Sequence, residues 1–106
     1  MNYPEVPEGL FRVNVDLDGT LANSVWPAPY VGALIPDGFK LVQHYYLQGY
    51  EVVIFTSRPE SHRPRIMEWL RQVGLYEYVY DIICGKPLGL TIDDRSANPL
   101  QWREDG

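Results

Sequence analysis

The chain carries a single cysteine, Cys84, among its 106 residues. That excludes an internal disulfide framework and suits a reducing compartment. No apolar run approaches the ~20 residues that a membrane-spanning helix needs. The opening Met1-Asn2-Tyr3-Pro4-Glu5 lacks the basic and apolar blocks of a secretory leader. Positive charge is also short, with nine Lys and Arg against fourteen Asp and Glu and a net charge of −5 at pH 7. This balance argues against a broad nucleic-acid surface or docking on an anionic membrane, although a local basic site stays open. Internal repeats and low-complexity segments are absent. The expectation from these absences is a soluble cytoplasmic domain.

What is present is an ordinary globular composition, 45% apolar and 22% charged. The length suits one domain over residues 1–106 with one core. Residues 1–9 hold two prolines and two glutamates and read as an irregular lead-in. Leu10 to Val15 reads as a first strand, stopped by the turn signal Asp18-Gly19-Thr20. Residues 21–35 read as a long loop or flap carrying Trp26 and Tyr30. Asp37 then reads as a helix N-cap and Gly49 as the residue past the helix end. Between them Phe39, Val42 and Tyr46 fall at helical spacing, widened by Leu41, Tyr45 and Leu47.

The run Glu51 to Phe55 is almost wholly apolar and predicts a central buried strand ending at Thr56. Ile66, Trp69, Leu70 and Val73 fall at i, i+3, i+4 and i+7, with Gly74 as a stop, and predict the clearest helix. Tyr80 to Cys84 is a third strand candidate, on which strand packing accounts for the alternation of Tyr76, Tyr78 and Tyr80. Leu90-Thr91-Ile92 is a fourth, ending at Asp93-Asp94. Residues 97–106 read as a short tail, with at most a short helix after Asn98-Pro99. This order predicts an α/β fold with a mostly parallel, Rossmann-like sheet flanked by helices.

In such sheets ligands bind beyond the carboxyl ends of the strands. Asp16, Thr56 and the Asp93-Asp94 pair all fall at a predicted carboxyl end. Like charges ~4 Å apart repel by several kcal/mol at a protein-like effective dielectric. A hard divalent cation resolves that conflict, and Mg2+ accepts oxygen ligands together with water and phosphate. The chemistry implied is phosphoryl transfer. Two residues apart on an extended segment, Asp16 and Asp18 share a face. One can attack phosphorus while the other moves protons. Gly19-Thr20 lets the chain turn and is expected to leave backbone N–H groups for anionic oxygens.

These residues carry a family resemblance. Val13-Asn14-Val15-Asp16-Leu17-Asp18-Gly19-Thr20-Leu21 resembles motif I of the haloacid dehalogenase-like (HAD) superfamily. Val52-Val53-Ile54-Phe55-Thr56-Ser57 is similar to its motif II, and Leu90-Thr91-Ile92-Asp93-Asp94 to its motif IV. Lys86 is the candidate for motif III. The resemblance implies a Mg2+-dependent phosphatase. Asp16 would form an aspartyl-phosphate, and Asp18 would be the acid/base with its backbone carbonyl on the metal. Thr56 would bond the phosphoryl group, with Ser57 beside it, and Asp94 helped by Asp93 would complete the metal shell. No cap domain is visible, and capless relatives act on large substrates or borrow a lid from a neighbouring subunit, which leaves a homo-oligomer open. The motif Ile92-Asp93-Asp94-Arg95 leans the phosphorylated substrate towards nucleotide or nucleic-acid ends.

Lys86 lies seven positions before Asp93, so a lysine leading directly into a fourth strand falls at the end of the sheet away from the site unless the chain loops back. Arg58 and Arg95, each just past a strand end, are alternative sources of positive charge for the substrate. Arg58, His62, Arg63 and Arg65 also form a small basic cluster, read either as a solvated face or as a site for the rest of the substrate. His44 and His62 read as surface histidines and Cys84 as a small buried apolar residue. Two rival functions remain. One is a catalytically weak module that binds a phosphorylated ligand or a protein partner without turnover. The other is a receiver-like signalling domain, which the chain order disfavours because receivers place the acidic pair before the acceptor aspartate.

Overall fold

The computed structural model describes residues 3–25, 27–85 and, as backbone, 96–97. Strand β1 spans Arg12–Val15, helix α1 Pro36–Leu47, strand β2 Glu51–Phe55, helix α2 Arg63–Val73, strand β3 Asp81–Ile83 and strand β4 Ser96–Ala97. The sheet order is β3-β2-β1-β4, and every pairing is parallel. Two right-handed crossovers in the same direction put both connecting helices on one face. The core shows this directly. Val13, Val15, Val52, Ile54 and Ile82 cluster with Leu41, Val42 and Tyr45 of α1 and with Ile66, Trp69 and Leu70 of α2. Each fully buried aliphatic side chain there contributes about 1.5–3 kcal/mol over exposure. After β3 the chain returns to the far side of β1. The strand order therefore reverses between β1 and β4, the position where open α/β sheets bind ligands.

Several expectations need correction. Asp37 is not the N-cap of α1. Ile35 holds that place without a side-chain cap, and Pro36 starts the helix with its preset φ. Asp37 sits in the first turn, where its charge complements the helix dipole. The buried stripe of α1 is Gly38, Leu41, Val42 and Tyr45. Tyr46 and Leu47, expected on the apolar face, are 44% and 71% exposed. The stripe was mis-set because its first member is a glycine, which carries no hydrophobic signal. Gly38 is nevertheless required. A Cβ there would come within 2.3 Å of the Thr20 carbonyl oxygen and 2.9 Å of the Leu21 Cα.

Tyr76 and Tyr78 lie on a short 3-10 turn, Tyr76–Tyr78, not on a strand. The turn follows Gly74, which closes α2 in the left-handed region at φ 84°. Ring contacts of Tyr78 with Phe39 and Tyr46 of α1 hold it there. The predicted strand Leu90-Thr91-Ile92 and the helix after Asn98-Pro99 lie outside the described residues. The pairing to β1 that is described comes from Ser96–Ala97, opposite Arg12 and Val13.

Candidate phosphoryl-transfer site

β1 ends at Val15, so Asp16 and Asp18 stand on the turn that follows rather than on the strand. The Leu17 carbonyl accepts from the N–H groups of Leu21 and Ala22, both at 3.0 Å, which winds residues 17–22 into one closed turn. Leu17, Leu21 and Ala22 are fully buried and pin this turn to the core. Gly19 takes the left-handed backbone it needs, at φ 89°. Asp16 and Asp18, on either side of buried Leu17, are both partly exposed. The Asp16 carboxylate accepts from the N–H of Leu17 at 2.9 Å.

One expectation fails in this turn. The N–H of Gly19 donates to the Ala22 carbonyl at 2.7 Å, and that of Thr20 to the Leu17 carbonyl at 3.4 Å. These groups serve the turn itself, because a chain that folds back this tightly satisfies its own amides.

The segment 21–35, expected as a long loop or flap, leaves and rejoins the fold through a short stem. Its stem is antiparallel: Ala22 bridges Leu34, Asn23 N–H donates to Ala33 at 2.8 Å, and Ile35 N–H donates to Leu21 at 2.8 Å. Gly32 lies so close to Asn23 that a Cβ would approach its carbonyl oxygen to 2.3 Å. Tyr30 is exposed on the flap. Trp26 lies outside the described residues.

Thr56 follows β2 and is buried, at 1% exposure. Its N–H extends the sheet by donating to the Ile83 carbonyl at 2.9 Å, and its Oγ1 accepts from the N–H of Arg58 at 3.1 Å. A hydroxyl that accepts in this way keeps its own hydrogen to donate. Thr56 therefore does not cap α2, whose N-cap is His62. Ser57 stands next to it, partly exposed.

Arg58 is fully buried. Its guanidinium makes a two-pronged contact with Asp18, Nε to Oδ2 and Nη2 to Oδ1, both at 2.8 Å. Nη2 also donates to the Tyr30 carbonyl at 3.1 Å, and Nη1 to the Ala28 carbonyl at 3.0 Å. Nη1 lies 3.2 Å from His62 Nδ1. The basic cluster thus divides. Arg58 and His62 turn inward to Asp18 and the flap, whereas Arg63 forms an exposed pair with Glu60. His62, expected as a surface histidine and as a member of the basic cluster, stands against the Arg58 guanidinium instead.

The N–H of Gly85 donates to the Arg58 carbonyl at 2.7 Å, so the segment leaving β3 docks on the rim that holds Thr56. Gly85 is the residue before Lys86. Lys86, Asp93, Asp94 and Arg95 lie outside the described residues. Among the described residues, no group of three or more His, Cys, Asp and Glu side chains is gathered to hold a metal. Cys84 is half-buried rather than buried, and burial pushes its thiol up from the ordinary value. No described helix is long and apolar enough to cross a membrane.

The fold and this rim define an α/β module of HAD-like architecture, and comparison with solved structures agrees. A structural-genomics target from Vibrio cholerae matches at TM-score 0.58 with 28% identity, over 88% of this chain and 87% of that one. A conserved protein from Bacteroides thetaiotaomicron matches at TM-score 0.55 with 19% identity, over 79% and 83%. The Pnkp1/Rnl/Hen1 RNA repair complex matches at TM-score 0.58 with 20% identity, over 88% of this chain and 31% of that one. The last two likenesses concern the fold alone. The family model described as the LNS2 domain of PITM 1-3 matches residues 13–91, and the chain belongs to that family. Membrane-associated phosphatidylinositol transfer protein 3 of mouse and of human is 32% identical over 73 residues, 68% of this chain. The chain spans about 8% of the length of those relatives.

Proposed function

We propose that this module is a Mg2+-dependent phosphohydrolase acting through an aspartyl-phosphate on Asp16. The observation that carries the reading is the placement of Asp16 and Asp18 on the turn after β1, at the reversal of strand order, with Thr56 at the end of neighbouring β2. A carboxylate oxygen of Asp16 attacks phosphorus, and the bond from phosphorus to the leaving oxygen breaks. Asp18 gives that oxygen a proton. It then takes one from water, whose oxygen attacks phosphorus and frees Asp16 and inorganic phosphate. Thr56 donates its hydroxyl to a phosphoryl oxygen.

Lys86 supplies positive charge there. This role is supported by the docking of its neighbour Gly85 on the Arg58 carbonyl. The donors at the turn fit Mg2+: the Asp16 carboxylate and the Asp18 backbone carbonyl are hard oxygens, with Asp93 and Asp94 as the remaining carboxylates. Mg2+ commonly takes one or two carboxylates and keeps several waters. When bound, it neutralises the charge shared by the carboxylates and the phosphate. The substrate is a phosphomonoester. A nucleotide or nucleic-acid end is the first class to assay, and the name of the mammalian relatives, a phosphatidylinositol transfer protein, adds a phospholipid whose headgroup bears a further phosphate as a monoester.

The test is hydrolysis of an aryl phosphate with Mg2+. The native chain turns over, while Asp16→Asn and Asp18→Asn both lose about 100-fold or more in kcat. One observation favours a second reading, a phosphate-binding module without turnover: both oxygens of Asp18 lie in the Arg58 fork. Saturable binding of a phosphomonoester with no hydrolysis of any phosphomonoester offered, aryl or macromolecular, would select that reading.

A further inference from the structure

We propose that Arg58 is a positioning residue that joins Asp18 to the flap, so that one side chain sets both the direction of the acid/base carboxylate and the hold on the flap at Ala28 and Tyr30. A guanidinium has five N–H donors in a rigid fork. Here all five have protein partners: two go to Asp18, one each to the Ala28 and Tyr30 carbonyls, and one faces His62 Nδ1. The main chain of Arg58 is engaged as well, its N–H on Thr56 Oγ1 and its carbonyl with the Gly85 N–H. An arginine held in this way cannot also bind a phosphoryl oxygen without releasing one of these partners. Its buried charge is tolerable because it is paired with Asp18 and four of its five donors are bonded, with the fifth facing His62.

The flap has two attachments of different kinds. Its stem is held by backbone bonds to residues 21–23, which need no side chain. Between the two sides of the stem, the Ala28 and Tyr30 carbonyls are tied to Arg58. Release of the guanidinium therefore frees this part of the flap while the stem stays formed. It also leaves the Asp18 carboxylate free to rotate.

The inference rests on the phosphohydrolase reading for its kinetic consequence only, and the test separates the two. Amide hydrogen exchange by NMR is compared between the native chain and Arg58→Lys, which keeps the charge but not the five-donor fork. Arg58→Gln serves as a second variant. The Ala28 amide, bonded to the Val25 carbonyl, should exchange about tenfold faster. The Asn23 and Ile35 amides of the stem should keep their rates, and those of Ile54 and Leu70 in the core should quicken only by the factor that each variant's loss of global stability in urea sets. A merely structural role would instead speed core and flap together. In the aryl phosphate assay, kcat should fall about 100-fold with KM little changed, because the substrate still meets the same binding groups.

Unchanged Ala28 exchange in both variants overturns the proposal whatever the activity. Faster Ala28 exchange with unchanged kcat overturns the positioning of Asp18. Faster Ala28 exchange in a protein that hydrolyses nothing keeps the join and overturns the phosphohydrolase reading alone.

Discussion

Two arginines five positions apart each grip a carboxylate with a two-pronged fork of almost the same geometry. Arg58 meets Asp18 at 2.8 Å on both prongs, and Arg63 meets Glu60 at 2.7 Å on both. Their surroundings differ. The side chains of Arg58 and Asp18 are 0% and 15% exposed, whereas those of Arg63 and Glu60 are 32% and 67% exposed. In water an ion pair gains little and is screened, while in a dry site the loss of one partner strands the other. Geometry alone therefore ranks the two pairs as equals, and burial separates them. The buried fork orders a candidate site and its flap. The exposed one decorates the short 3-10 turn Glu60–His62 that leads into α2.

The largest effect expected breaks the buried pair. Arg58→Ala should destabilise the chain by ~3–5 kcal/mol in urea unfolding, because Asp18 and two carbonyls lose their partner. A double-mutant cycle with Asp18→Asn should give strong coupling. Next comes Gly38→Ala. Intrinsic propensity favours alanine in a helix by about 1 kcal/mol. The new Cβ would nonetheless press on the backbone of Thr20 and Leu21, which cannot yield as a flexible side chain would. A net loss of ~1–3 kcal/mol in the same measurement is expected, with weaker hydrolysis because the Asp18 turn moves.

A neutral contact sharpens the comparison between the two forks. The Tyr45 hydroxyl donates to the Pro4 carbonyl, and burial with neighbouring Tyr50 and Tyr3 pushes its pKa from 10.0 up to about 12. The folded state thus holds this proton more tightly. The stability it adds is complete below pH 10 and fades as pH rises towards 12. Tyr45→Phe should cost about 1 kcal/mol at neutral pH and flatten that alkaline decline in pH-dependent melts.

The smallest effect belongs to the exposed fork. The hydrogen bond from Arg63 holds the Glu60 carboxyl below its ordinary value. Any stability this adds is present above the ordinary carboxylate range and lost as pH falls through the lowered value. Arg63→Ala should shift the melting midpoint within measurement scatter, and added salt should erase even that.

Much of the fold was legible in the chain, for reasons that differ by element. The apolar run of β2 and the i, i+3, i+4, i+7 pattern of α2 announce themselves because burial on both faces or along one stripe is written in side-chain chemistry. The stripe of α1 was misread where its key member, Gly38, works by having no side chain. The positions of Asp16, Asp18 and Thr56, just past the ends of β1 and β2, were legible because polar residues end apolar strands there. The inward turn of Arg58 was not. Nothing in Thr-Ser-Arg-Pro tells a guanidinium that faces substrate from one that faces Asp18. Its partners, the carbonyls of Ala28 and Tyr30, are backbone atoms that carry no residue signature. The engaged amides of Gly19 and Thr20 were hidden for the same reason.

The most direct test of the account is to look for the covalent intermediate itself. The native chain and Asp16→Asn are mixed with an aryl phosphate and Mg2+, quenched in acid within the first turnover, and weighed and mapped by mass spectrometry. The account predicts one phosphoryl group on Asp16 in the native chain, absent from Asp16→Asn and absent when Mg2+ is chelated. Hydrolysis that proceeds without any label on Asp16, or a label carried by another residue, would contradict it.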